Sequence, residues 1–148
     1  MVKCRNKIDG IEYAIKITEK RAPKTGNSMF EALQEVYALS YLSVSSENQY
    51  IVRYYRGWID DGQLYIQMEL CQKSLYDLFI SNKYDENEII KLLRHVCLGL
   101  NELHEKGIVH LDLKLENILI SNTGKYKLGD LGFSRLMNKL HTDVPEGD

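Results

Sequence analysis

The 148-residue sequence has only 2 prolines, 3 cysteines and one tryptophan, and no run dominated by one residue type or one sign of charge. Scarce proline and a near-average charged fraction of 27% exclude a disordered linker or a fibrous repeat. No apolar run approaches the roughly 20 residues of a membrane-spanning helix, so no membrane segment is evident. The opening Met1-Val2-Lys3-Cys4-Arg5-Asn6 has no apolar stretch of signal-peptide type. With 19 Lys+Arg against 21 Asp+Glu the net charge is -2, which gives no basic face for gripping nucleic acid. Cys4, Cys71 and Cys97 are odd in number, far apart and without a Cys-x-x-Cys pair. That spacing predicts free thiols in a reducing compartment, not a disulfide frame or a zinc site.

What is present is a chain that is 44% hydrophobic, enough for one domain with a core of its own. The pattern is α+β. Residues 1–70 read as strands around one helix, 74–106 as helical, and the chain after Gly107 as short strands and loops. Asp9-Gly10 is a two-residue hairpin signal, and beyond it Tyr13-Ala14-Ile15-Lys16-Ile17 reads as a strand with Ala14 and Lys16 on one face. After a polar loop from Glu19 to Asn27, Ser28-Met29-Phe30-Glu31 is a capping pattern. Behind it Phe30, Leu33, Val36, Tyr37, Ser40 and Tyr41 predict one apolar stripe, with Glu35 near its edge. Residues 51–55 and 64–68 flank the turn Asp60-Asp61-Gly62 and predict an antiparallel pair. Asp85-Glu86-Asn87-Glu88 opens a long helix with the stripe Ile89, Leu92, Leu93, Val96, Leu100 and Leu103, stopped by Gly107.

The segment richest in chemistry is His110-Leu111-Asp112-Leu113-Lys114-Leu115-Glu116-Asn117, followed by Gly129-Asp130-Leu131-Gly132. The first resembles the catalytic loop of protein kinases and the second their metal-binding D-F-G, written here as D-L-G. Upstream, Ala14-Ile15-Lys16 resembles the V-A-I-K strand, with Glu35 on the next helix as its partner. Four such elements in order are specific where one alone is not. The resemblance implies a two-lobe kinase fold and transfer of the γ-phosphate of ATP, with Mg2+, to a protein hydroxyl. Phosphoryl transfer gathers charge on phosphate oxygens and needs the acceptor in line. In those terms Asp112 is the base that orients the hydroxyl, and Lys114 reaches the transferred phosphate. Asn117 and Asp130 offer oxygens to magnesium, a hard cation. Lys16, held by Glu35, takes the α and β phosphates. The resemblance also makes Met68 the gatekeeper, gives adenine the backbone groups of Glu69 and Cys71, and puts Ala14 and Leu119 on its two faces.

Further residues narrow the likeness. Glu35-Val36-Tyr37-Ala38, Val52-Arg53-Tyr54-Tyr55 with Trp58, Ile66-Gln67-Met68-Glu69-Leu70-Cys71, the Leu111 and Leu131 variants, and the closing Pro145-Glu146-Gly147-Asp148 resemble the Wee family of mitotic-inhibitor kinases. Stress kinases that act on a translation initiation factor share the Ile-Gln-Met-Glu stretch, but usually carry Arg after the histidine and Phe in the triplet. Leu115 stands where the family usually has Pro. The Wee likeness implies an enzyme of tyrosine or dual specificity, although Asp112-Leu113-Lys114 looks like the serine/threonine type. Its implied substrate is a cyclin-dependent kinase, modified on tyrosine to delay mitosis, and its implied location is nuclear with the cytoplasm as the alternative. It further implies that 1–148 is part of a kinase domain. Residues 1–70 are then the smaller lobe without its glycine-rich hairpin. Residues 71–148 are the hinge and the start of the larger lobe, through part of the activation segment. Against the enzyme stands a second expectation, a truncated, non-catalytic module that binds nucleotide or a protein partner. Under either, the stripe of residues 89–103 is expected to be left partly uncovered.

Overall fold

The computed structural model describes residues 1–17, 28–43, 49–81 and 85–137, without the side chains of 28–32, 34, 35, 43 and 81. The loop expected at residues 19–27, the side chains of the 28–31 capping pattern and the closing residues 145–148 lie outside the described residues. The arrangement is the expected α+β one, an incomplete two-lobe fold with a sheet and a helix in the first lobe and a helix-dominated start of the second.

Among the described residues the first lobe holds four antiparallel strands: β1 (Val2–Arg5), β2 (Glu12–Ile17), β3 (Tyr54–Asp60) and β4 (Gln63–Glu69), in the order β1-β2-β4-β3. Helix α1 (Ser28–Ser43) packs against β3 and β4. The β1–β2 connection is longer than Asp9-Gly10 predicts. Asn6 N–H donates to Ile11 O at 2.9 Å, so residues 7–10 form a wider turn. Asn6 and Asp9 side chains direct it by accepting from the backbone of Ile8 and Ile11. The β3–β4 turn is tight, with Asp60 paired to Gln63 and positive φ at both Asp61 (46°) and Gly62 (73°). That is the turn whose twist matches the strands it joins.

Two expectations about burial need correction. On α1 the inward residues are Ala38, Leu39 and Leu42, with Val36 beside them, while Leu33, Tyr37 and Tyr41 are exposed. From Val36 to Leu42 every position but Ser40 is apolar, so a period of 3.6 residues fits more than one face there. The tyrosines keep their hydroxyls in water, and the smaller side chains approach the sheet. Likewise β3 begins at Tyr54, not Ile51. Ile51 and Val52 are buried against the second lobe, where Val52 N–H donates to Leu128 O and Leu128 N–H to Tyr50 O, both at 2.8 Å.

In the second lobe β5 (Lys73–Ser74), α2 (Leu75–Ser81) and α3 (Glu86–Glu105) are followed by the short strands β6 (Ile108–Val109), β7 (Ile118–Ile120), β8 (Tyr126–Leu128) and β9 (Arg135–Leu136). Asp85 caps α3 as its spacing predicts, accepting from Glu88 N–H at 2.8 Å. Gly107 ends it at φ 68°. The α3 stripe is deeply buried only towards its C-terminal end, where Leu103 is inaccessible. Ile89 is 44% and Leu93 58% exposed, as expected of a stripe left partly uncovered. At Gly99 the helix meets backbone, since a Cβ there would lie 2.8 Å from Tyr50 O. A glycine is what allows α3 so close to the segment between α1 and β3.

Candidate functional site

Between the lobes lies a cavity of about 380 Å³. Eight of the residues singled out from the sequence line it: Ala14, Lys16, Met68, Glu69, Cys71, Asn117, Leu119 and Asp130. The strand period explains the first part of this convergence. Ala14 and Lys16 share a face of β2, and Ala14 is the register partner of Met68 on β4. Met68 is buried at 5% exposure, and Leu119 faces the cavity from β7.

At one end of the cavity the charged groups meet. Lys16 Nζ lies 2.9 Å from Asp130 Oδ1, a contact between groups 114 residues apart in the chain. Asp130 has a φ of 55°, outside the range where side chains sit easily. Gly129 before it must be small, because a Cβ there would come within 3.1 Å of Leu119 Cδ1 and 3.3 Å of Val52 Cγ2.

Asp112 and Lys114 do not line the cavity but adjoin it through Asn117. The Asn117 amide nitrogen donates to Asp112 O at 2.8 Å and to Asp112 Oδ2 at 2.9 Å, and Lys114 Nζ reaches the same Oδ2 at 2.7 Å. Both amide protons are thereby used, which leaves the Asn117 oxygen as that side chain's acceptor. The Lys114 bond is the main reason the Asp112 carboxyl is held below its ordinary range, with Asn117 adding to it. The same bond raises the Lys114 ammonium.

His110 supports this loop from beneath. It is 2% exposed, its Nδ1 lies 3.3 Å from Asp112 N, and its Nε2 lies 3.1 Å from Gly129 O. A backbone N–H can only donate, so Nδ1 is the acceptor and Nε2 carries the proton given to Gly129. One imidazole thus fixes the Asp112 loop to the residue before Asp130. Leu111 between them is held at φ 60°, an unusual conformation for a bulky residue, costing about 1–3 kcal/mol.

Cys71 is half-buried, and burial pushes its thiol up to about 12, with the Glu69 carboxylate adding in the same direction. It is protonated at neutral pH and serves the cavity as a small apolar wall. Glu69 N–H donates to Arg53 O at 2.8 Å, so of its two backbone groups only the carbonyl could serve a base. Glu35 lies within α1, but its side chain is outside the described residues, as therefore is its expected pairing with Lys16.

Sequence reasoning overlooked three participants. Val52, within a buried β-branched pair, lines the cavity. Lys127 forms an ion pair with Glu69 at 2.6 Å. Ser74-Leu75-Tyr76-Asp77 is a capping pattern that was legible: Asp77 N–H donates to Ser74 Oγ at 3.1 Å, and Ser74 N–H to Asp77 Oδ2 at 3.2 Å. It starts α2 at the rim of the cavity, and burial of Leu75 at 1% exposure fixes it there.

Comparison with known proteins identifies the family. The family model of the protein kinase domain matches residues 1–147. Similar curated proteins include the Wee1-like protein kinase of Arabidopsis thaliana, 39% identical over 148 residues, covering 99% of this chain and 28% of that relative. The Wee1-like protein kinase of Oryza sativa subsp. japonica is 37% identical (99% of this chain, 27% of the relative). Wee1-like protein kinase 2 of Homo sapiens is 33% identical (99% and 30%). The chain therefore spans less than a third of the length of these relatives. With a family model matched over almost its whole length and the motif residues gathered round one cleft, the chain belongs to the protein kinase family.

Proposed function

We propose that this chain is the ATP-binding part of a Wee-type protein kinase that phosphorylates a cyclin-dependent kinase on tyrosine and so restrains entry into mitosis. The observation that carries the reading is the Lys16–Asp130 contact across the cleft, with Asp112, Lys114 and Asn117 bonded to one another beside it. Encounter with such a substrate belongs in the nucleus.

The residues suit the groups this chemistry needs. A cavity apolar at Ala14, Met68 and Leu119 and charged at Lys16 and Asp130 matches a molecule with an aromatic base and a polyphosphate tail. Asp130 and Asn117 supply one carboxylate and one amide oxygen. That hard, sparse set is what magnesium takes when phosphates complete its shell. Bound there, Mg-ATP supplies the γ-phosphoryl group, and the cation offsets the phosphate charge.

The side chains do the rest. Lys16 holds the α and β phosphates as a point charge. Asp112 keeps its carboxylate ionised, and both of its described side-chain bonds fall on Oδ2, so Oδ1 is the acceptor for the tyrosine hydroxyl proton. Asn117 fixes that carboxylate with its amide nitrogen, and Lys114 stands where charge develops on the moving phosphoryl group.

The test is titration of the intact protein with Mg-ATP, followed by transfer of labelled phosphate to a cyclin-dependent kinase. We expect transfer to tyrosine, and Asp112→Asn to bind nucleotide while losing about 10²–10⁴-fold in rate. Equal transfer by Asp112→Asn, or none by the natural protein, would overturn the reading.

A further inference from the structure

We propose that Lys127 is a positioning residue that clasps the hinge to the floor of the cleft through Glu69, so that the base-binding edge and the metal-binding end keep a fixed separation. The inference rests on the nucleotide-binding role given to the cleft.

The clasp is built from both lobes. Glu69 is the last residue of β4, where the chain leaves the first lobe. Its Oε2 accepts from Lys127 Nζ at 2.6 Å and from Arg53 N–H at 3.2 Å. The two side chains are 11% and 21% exposed, so solvent screens the pair poorly. Lys127 is the register partner of Leu119, which lines the cavity. It also lies on β8, two residues before Gly129, whose N–H donates to Asn117 O at 2.8 Å. A single ammonium therefore joins the end of β4 to the strand that presents Asp130. Around it the Val52–Leu128 and Leu128–Tyr50 backbone bonds close a ring, of which Lys127–Glu69 is the side-chain link.

A surface ion pair would contribute little, but this one ties backbone that lines the site. Removing the ammonium leaves a largely buried carboxylate with only the Arg53 N–H, and the hinge shifts to hydrate it. The effect should fall on recognition of the base more than on the transfer step.

The experiment compares Lys127→Met, Lys127→Arg and the double variant Lys127→Met/Glu69→Leu in the intact protein. The readouts are KM for Mg-ATP, kcat, melting temperature, and amide hydrogen exchange over residues 69–72 without nucleotide. We expect Lys127→Met to raise KM about tenfold while kcat falls less, and to speed exchange at the hinge. Lys127→Arg should restore both, since it keeps the donor and the charge. The double variant removes the unpaired charge, so its melting temperature should recover while KM stays high. A merely structural role would bring KM back with stability. An unchanged KM together with unchanged exchange in Lys127→Met, or a KM restored in the double variant, overturns the proposal. If the natural protein binds no Mg-ATP while exchange still responds to Lys127→Met, the nucleotide reading falls and the clasp itself stands.

Discussion

Asp112 shows how far a single side chain can be read from its neighbours. Its candidacy came from its place in the 110–117 motif, but the bond to Lys114 that lowers its acidity range is a product of folding. Because the folded value lies below the ordinary 3.8, this carboxylate contributes stability that is present above the unfolded value and is lost as pH falls through the folded one. Lys114→Met should therefore raise the pH at which Asp112 titrates, measured by carboxyl-carbon NMR. An unmoved titration would show that Asn117 alone holds it. Leu111, half-exposed and without charge, cannot pair with a phosphate as arginine does in that position. Activity should accordingly change little on phosphorylation of the activation segment. A large activation that disappears when Leu111 is replaced would contradict this. The positive φ of Leu111 and Asp130 could not be foreseen, because neither position carries the glycine that would signal it.

The elements divide between those whose signals are local and those whose partners are distant. Asp85, Gly107 and the Asp61-Gly62 turn were legible, since each acts on backbone within a few residues. The buried face of α1 was not, because the almost unbroken apolar run from Val36 to Leu42 leaves orientation to the sheet it meets. Gly99 belongs to the distant kind. In a free helix Gly→Ala gains about 1 kcal/mol. Here the added methyl would sit 2.8 Å from a backbone carbonyl, and neither helix nor segment can yield cheaply. Gly99→Ala should lower stability by about 1–3 kcal/mol in denaturant unfolding, and a stabilised variant would disprove the close packing. On the same helix Glu102 accepts from the backbone N–H groups of Gln49 and Tyr50, while its Oε2 is buried without a partner among the described residues. Burial raises its pKa above the ordinary 4.5 despite those bonds. The folded state then holds the proton more tightly than the unfolded, so this group costs stability as pH rises from about 4.5 through the folded value. Glu102→Gln keeps an accepting oxygen and removes the charge. Melting curves from pH 4 to 8 should show a flatter profile and a higher neutral Tm.

For the molecule as a whole, the exposed apolar residues on α2 and α3 set its solution behaviour. Phe79 and Ile80 on α2, and Ile89, Ile90 and Leu93 on α3, are 44–70% exposed. Surfaces of that kind drive association. The 148-residue chain by itself should sediment as oligomers, and a sharp, reversible melt of a monomer would show the face to be tolerated by water. Sequence alone determined the class of elements, the ends of α3 and the identity of the groups around Lys16, Asp112, Asn117 and Asp130, because period, capping and motif spacing act over short stretches of backbone. Tertiary structure alone decided which face of α1 turns inward, that Ile51 and Val52 pair with β8, and that Lys127 meets Glu69. Those outcomes depend on contacts between segments dozens of residues apart, and no local pattern carries the distance between two such segments.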